Sequence, residues 1–286
     1  MRVQFLDFYP NFNKTNNVIL DHLRVNYTVE VVNSKPDLVI CSIFGRSSII
    51  LDVPKILVVG ECIHKDHWSL KQKGIILVIT TTRLDIPESL YYPWGNWYHA
   101  VNKLYKQLTP NKTRFCAFVI SNPRCQMRNQ IFQSICKYKK VDSAGRVLNN
   151  VGYQAPGALN DKQGHGENLE FIRWLSQYKF YICCENQSYP GYHTEKIINA
   201  YLANCVPIYW GAETIFDLHT RDSMVYVTNI VEAIKEVERL DKDDEAYKRK
   251  QLANPFVIDI NSSESPYNYE SHTNRIKDSV SRHMNI

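Results

Sequence analysis

Short apolar runs of strand length, rich in Val and Ile, recur along this chain and alternate with polar turns and helix-like stretches. In the first third they cover residues 3–8, 27–32, 38–44, 55–59 and 75–80, while 18–23 has the spacing of a short amphipathic helix. Runs bounded by Pro, Gly and Asp and apolar at almost every position fit strands covered on both faces, as in a mostly parallel sheet. A second series begins at Arg114. Residues 114–121 read as a strand, and Asn122-Pro123 reads as an N-cap followed by Pro at the first helical position. The helix that follows runs to about residue 137, with Ile131, Phe132, Ile135 and Cys136 on one face. Strands at 140–142, 179–184, 206–210 and 224–227 then alternate with helices at 168–177 and 194–203, and a long charged helix spans about 230–252. Between the two series, residues 91–112 carry Pro-Trp-Gly and Gln-Leu-Thr-Pro-Asn and read as a linker.

This alternation predicts an α/β protein of two Rossmann-like domains facing a central cleft. The expected division is 1–112, 113–254 and a C-terminal tail, 255–286, that shows no clear periodicity. A hydrophobic fraction of 44% supplies a real core. The net charge of +5 is dispersed, so it selects no partner, and no nucleic-acid-binding motif occurs. The apolar runs fall far short of a membrane span and the N-terminus has no cleavage-site pattern, so a soluble, cytoplasmic protein is expected. The eight cysteines lack any C-x-x-C spacing and read as reduced, mostly buried thiols. Sequons at Asn13, Asn26, Asn111, Asn186 and Asn261 read as unused in that setting. His64-x-x-His67 lacks further ligands at metal spacing and is not read as a zinc site.

The most informative stretch is KFYICCENQSYPGYHTEKIINAYLANCVPIYWG, residues 179–211, which reads strand, polar loop, helix, strand. In open α/β sheets ligands gather at the carboxyl ends of strands, where helix N-termini direct amides outward. Thr194 is placed as an N-cap, with Glu195 and Lys196 in the first turn. A cation there opposes the helix dipole and is easier to explain with an anion in front of it, such as a pyrophosphate. The alternative is a solvated Lys paired with a nearby carboxylate. Glu195 can accept hydrogen bonds from sugar hydroxyls, and Arg128 can clamp a phosphate. Glu61, following Gly60 at the carboxyl end of a buried strand, is placed as a general base. Each of these residues, taken singly, also fits an ordinary solvated side chain.

The blocks FVISNPRCQMRN, YKKVDSAGRVLNN, YKFYICCEN and GYHTEKIINAYLANCVPIYWG, with a weaker VVGEC, resemble the family 10 glycosyltransferases, the α-1,3/4-fucosyltransferases, especially their bacterial members. The resemblance covers residues 114–211 continuously. It implies a GT-B type fold, GDP-fucose as donor and inversion at the anomeric carbon. It implies no obligatory metal and leaves stimulation by a divalent cation open. Glu61 matches the family's catalytic base, and Arg128 and Lys196 match its donor-phosphate cations. Asn186, Tyr192 and Glu195 match contacts to nucleotide, phosphate or fucose, and Ser121, Asn122 and Tyr181 fall at further donor positions. The implied acceptor is an oligosaccharide or glycoconjugate, fucosylated α-1,3 on GlcNAc or Glc of a lactosamine-like unit. The resemblance also suggests a bacterial or viral form, with peripheral membrane association left open. After Glu61 the sequence CIHKDHWSLKQKG departs from the family's usual Asn-rich loop, in the domain that normally holds the acceptor. Two other readings remain: the same fold with another nucleotide sugar, or an inactive GDP-sugar- or glycan-binding protein.

Overall fold

The computed structural model describes residues 1–93, 112–157 and 169–284. Most of the expected linker, and the sequon at Asn111, lie outside the described residues. The chain divides into two compact units. Residues 1–93 and 260–284 belong to the first, and 112–157 and 169–259 to the second.

In the first unit β1 (Arg2–Leu6), β2 (Glu30–Val31), β3 (Leu38–Cys41), β4 (Lys55–Val59), β5 (Ile75–Thr80) and β6 (Ser89–Tyr91) form one sheet in the order β2-β1-β3-β4-β5-β6. Every pairing is parallel. The apolar runs have the predicted cause. Leu38, Ile40, Ile56 and Val58 join a core cluster on one face, and Val39, Cys41, Leu57 and Val59 join another on the opposite face. The one charge inside β4, Lys55, is fully buried and donates its ammonium protons to the carbonyls of Leu51 (2.6 Å) and Lys73 (2.7 Å). Strand β6 had no separate sequence signal.

The first core cluster is closed by α1 (Val18–Arg24) and by a C-terminal helix, α7 (Tyr269–Met284), where the sequence shows no clear pattern. The helix buries His272, Thr273, Ile276, Ser279 and Val280, which do recur at helical spacing. Three of those five are polar, so a hydrophobicity pattern does not reveal the face.

A buried polar cluster holds α7 against α1 and the segment after β6. His22 Nδ1 bonds Thr273 Oγ1 at 2.7 Å, and Nε2 bonds the Tyr92 hydroxyl at 3.2 Å. The Thr273 hydroxyl already donates to Tyr269 O, so it must accept from His22, and the neutral imidazole accepts from Tyr92. The Tyr269 ring stacks on His22 at 4.2 Å, and the His272 ring lies 4.6 Å from that of Tyr92.

The second unit contains β7 (Arg114–Phe118), β8 (Val141–Ser143), β9 (Tyr178–Ile182), β10 (Val206–Tyr209) and β11 (Val225–Tyr226), all parallel in the order β11-β10-β9-β7-β8. One face packs Phe118, Phe180, Ile182 and Ile208 against α2 (Gln126–Tyr138) and α5 (Ile230–Lys242). Helices α3 (Leu169–Leu175), α4 (Glu195–Leu202) and α6 (Asp244–Leu252) complete the unit. Two helix boundaries differ from the expectation. Helix α2 starts after Cys125, because the Asn122 side chain instead accepts from Arg124 N in a local turn. The long charged helix is broken at Asp243, which leaves helical geometry and accepts from Ala246 N, opening α6.

Burial holds the pKa of His22 at about 3 and that of His272 at about 4, both below the ordinary histidine value. The unfolded chain therefore binds protons from about pH 6.5 downward while the folded chain does not. Stability should fall by ~1.4 kcal/mol per pH unit for each histidine below that point. Urea unfolding between pH 7.5 and 5 measures the slope, which should become shallower in His272→Gln.

Candidate functional site

The strand order of the second unit fixes where a ligand can enter. From β7 the chain passes to β8 on one side and then to β9 on the other, so the connections from β7 and β9 diverge. Such a reversal opens a crevice at the carboxyl ends of the two strands. The loop after β7 carries Ser121 and Asn122 and leads to Arg128 in the first turn of α2. The loop after β9 carries Glu185, Asn186 and Tyr192 and leads to Glu195 and Lys196 at the head of α4.

Glu185 organises this edge. Its backbone N–H donates to Trp210 O at 2.8 Å, continuing the contact with the strand edge beyond β9, and its side chain is fully buried. One carboxylate oxygen accepts from Thr194 N (2.9 Å) and the Thr194 hydroxyl (3.0 Å); the other lies 3.1 Å from Lys196 Nζ. Lys196 Nζ also donates to Thr194 Oγ1 at 2.6 Å, and Glu195 lies 3.9 Å away. Thr194 thus precedes α4 as expected, but its hydroxyl serves this network and makes no side-chain cap. Burial draws the Lys196 ammonium toward neutrality, yet Glu185, Glu195 and Tyr192 together outweigh it and hold its pKa above the ordinary lysine value. The lysine keeps about a quarter of its side chain exposed.

Arg128 is almost fully buried. Its Nη2 donates to Asn122 O at 2.6 Å, while Nε is buried and has no hydrogen-bond partner among the described residues. A guanidinium nitrogen in that condition suits an anionic acceptor. Tyr181 lies within β9, packed near Phe171, with its hydroxyl within electrostatic reach of Lys196, Glu195 and Arg128. Burial pushes its pKa well above the usual tyrosine value.

The loop between Asn186 and Thr194 is braced from below. Gly191 takes a left-handed conformation (φ 77°) and donates its N–H to Thr214 Oγ1 at 2.7 Å. Tyr192 and His193 are buried, and the His193 ring bridges Tyr209 and Thr214 at 3.1 Å on each side. Ser121 and Asn122 are exposed, Asn186 and Glu195 half-buried. Arg128, Tyr181, Tyr192, Glu195 and Lys196, expected from the sequence to meet the donor, therefore share one strand edge. Glu61 belongs to the first unit, exposed on the loop two residues past β4. His67 has a local role, with its ring hydrogen-bonded to Ser69 Oγ at 2.8 Å. Six of the eight cysteines are buried.

Sequence reasoning placed the lysine but missed its buried partner Glu185 and the bracing His193. A usable signal existed: an acid directly after the apolar run YICC, where the strand leaves the core.

A family model described as glycosyltransferase family 10 (fucosyltransferase), C-terminal part, matches residues 109–251, half of the chain, and an α-(1,3)-fucosyltransferase N-terminal domain model matches residues 3–85. The chain belongs to glycosyltransferase family 10. The α-(1,3)-fucosyltransferase FucT of Helicobacter pylori is 36% identical over 150 residues, 51% of this chain and 29% of that protein. A candidate fucosyltransferase of Acanthamoeba polyphaga mimivirus is 28% identical over 249 residues, 85% of this chain and 38% of that protein. The chain thus spans well under half the length of these relatives. A crystal structure of an α1,3-fucosyltransferase with GDP-fucose superposes with a TM-score of 0.76 at 22% identity, covering 98% of this chain and 90% of the other. That likeness establishes the GT-B class of fold. Among the described residues no helix is long and apolar enough to cross a membrane.

Replacing Lys196 by Met should leave the Glu185 carboxylate buried without its cation. Loss of one partner from a buried pair costs ~3–5 kcal/mol, and removing both charges in Glu185→Gln/Lys196→Met should recover much of it. Urea unfolding of both variants measures the difference.

Proposed function

We propose that this family 10 chain transfers L-fucose from GDP-β-L-fucose to a hydroxyl of an acceptor glycan with inversion at the anomeric carbon. The observation that carries the reading is the pairing, at one strand reversal, of a buried Arg128 whose Nε has no hydrogen-bond partner among the described residues and a lysine held charged beside Glu185. Two fixed cations suit a diphosphate leaving group. Family membership and the fold shared with a fucosyltransferase crystallised with GDP-fucose support the donor.

On this reading Arg128 and Lys196 meet the diphosphate oxygens, where charge builds as the bond from C1 to the donor phosphate breaks. Stabilising that charge with preorganised donors is the largest contribution such a site can make. Asn186, Tyr192, Glu195, Tyr181, Ser121 and Asn122 are assigned to the nucleotide and the fucose, Glu195 through its accepting carboxylate oxygens. Glu61 takes the proton of the acceptor hydroxyl as the oxygen attacks C1 from the face opposite GDP. One C–O bond forms, one breaks, and the proton ends on Glu61. No step requires a metal. A divalent cation would act by screening the diphosphate. The acceptor assigned is a lactosamine-like oligosaccharide, modified α-1,3 on GlcNAc or Glc.

GDP release with GDP-fucose and an acceptor panel tests this. Glu61→Gln should lower acceptor-stimulated release ~10²-fold or more while GDP still binds. Unchanged turnover in that variant removes Glu61 as the base. Turnover with another nucleotide sugar alone removes fucose and keeps the fold assignment. Lys196→Ala and Arg128→Ala should each weaken GDP binding, and unchanged affinity would contradict their assignment.

A further inference from the structure

The donor assignment leaves the buried Glu185 unexplained. A fully buried carboxylate beside Lys196 would by itself work against anion binding, since it cancels a charge offered to the diphosphate. Its surroundings give the opposite sense. Both carboxylate oxygens are used: one takes Thr194 N and the Thr194 hydroxyl, and the other lies 2.8 Å from that hydroxyl and 3.1 Å from Lys196 Nζ. Glu185 is itself immobile, for its N–H is bonded to Trp210 O and its carbonyl accepts from Cys125 Sγ at 3.7 Å, at the residue that precedes α2. Glu185 therefore joins the head of α4, through its carboxylate, to the edge of β10 and the start of the helix that carries Arg128, through its backbone.

Resting on the donor assignment above, we propose that Glu185 is a positioning residue, which fixes the Lys196 ammonium through Thr194 at one place on the strand edge and sets it in register with Arg128. A lysine side chain has four rotatable carbons and would otherwise sample many positions in water. Holding it in advance removes that ordering from the cost of binding the diphosphate. The same carboxylate keeps the ammonium protonated in a site where burial works against charge. Glu195, more exposed and 3.9 Å away, shares the second task but cannot supply the first.

Glu185→Gln tests this, since it keeps the size of the side chain and an acceptor for Thr194 while removing the charge. Lysine labelled at Cε and followed by NMR, with Lys196→Arg to assign the signal, reads the ammonium directly. In the wild-type chain Lys196 should not titrate up to pH 10.5; in Glu185→Gln it should titrate below the ordinary lysine value. GDP affinity, measured by calorimetry from pH 7 to 10, should be flat in the wild-type chain. In Glu185→Gln it should be about tenfold weaker and fall further as pH rises. A merely structural glutamate would lower the melting temperature without creating that pH dependence. Unchanged Lys196 titration, or GDP affinity that is flat with pH in Glu185→Gln, overturns the proposal. Should Glu185→Gln not fold, Thr194→Val keeps the carboxylate and cuts the hydroxyl link. GDP affinity should then drop several-fold, and wild-type affinity in that variant overturns the proposal equally. If the wild-type chain binds no GDP while Lys196 titrates as stated, the donor assignment fails and the charge-holding role of Glu185 stands.

Discussion

A parallel sheet sends the carboxyl ends of all its strands to one edge, and the placement of the candidate site in the second unit follows from that. Because each crossover returns through a helix, helix N-termini collect at the same edge as the strand ends. The reversal between β7 and β9 then separates two loops that would otherwise pack together. Into that separation the chain directs Arg128 from one side and Lys196 from the other. Neither residue is adjacent in sequence to its partner, and neither would be notable on a surface helix. The fold turns two ordinary cations into a pair.

Charge at this edge is handled by burial with compensation. Arg128 loses nearly all contact with solvent and has one guanidinium nitrogen matched to a carbonyl and another, Nε, unmatched among the described residues. Lys196 keeps partial exposure and a carboxylate partner. A buried ion pair of this type contributes little net stability, since desolvation offsets the attraction. Its retention makes sense where the geometry of a cation matters more than the energy of the pair. The first unit treats buried polarity differently: His22, Tyr92, Thr273 and Tyr269 are neutral and satisfy each other, which serves attachment of the C-terminal helix.

Strands were legible from sequence because their signal is composition alone. Lys55–Val59 and Ile75–Thr80 were read with the boundaries found, since an unbroken apolar run between turn residues has few alternatives. Helix ends were less legible, because Asn122 and Asp243 each offer a side-chain acceptor that the backbone can use in more than one way. The C-terminal helix escaped notice because its buried face is built from His, Thr and Ser as much as from Ile and Val. Of the candidate site, the lysine and arginine could be named from motif and spacing. Glu185 offers only an acid directly after an apolar run, because its significance lies in a contact with Thr194, nine positions on, and with Lys196 that only the folded chain closes.

The central claim is that a nucleoside diphosphate sits at the β7/β9 reversal between Arg128 and Lys196. Hydrogen exchange of the chain with and without GDP tests it most directly, because each backbone segment reports separately. Protection gained at residues 119–130 and 183–197 together is the expected result. Protection confined to other segments, with these two unchanged under saturating GDP, would contradict the claim.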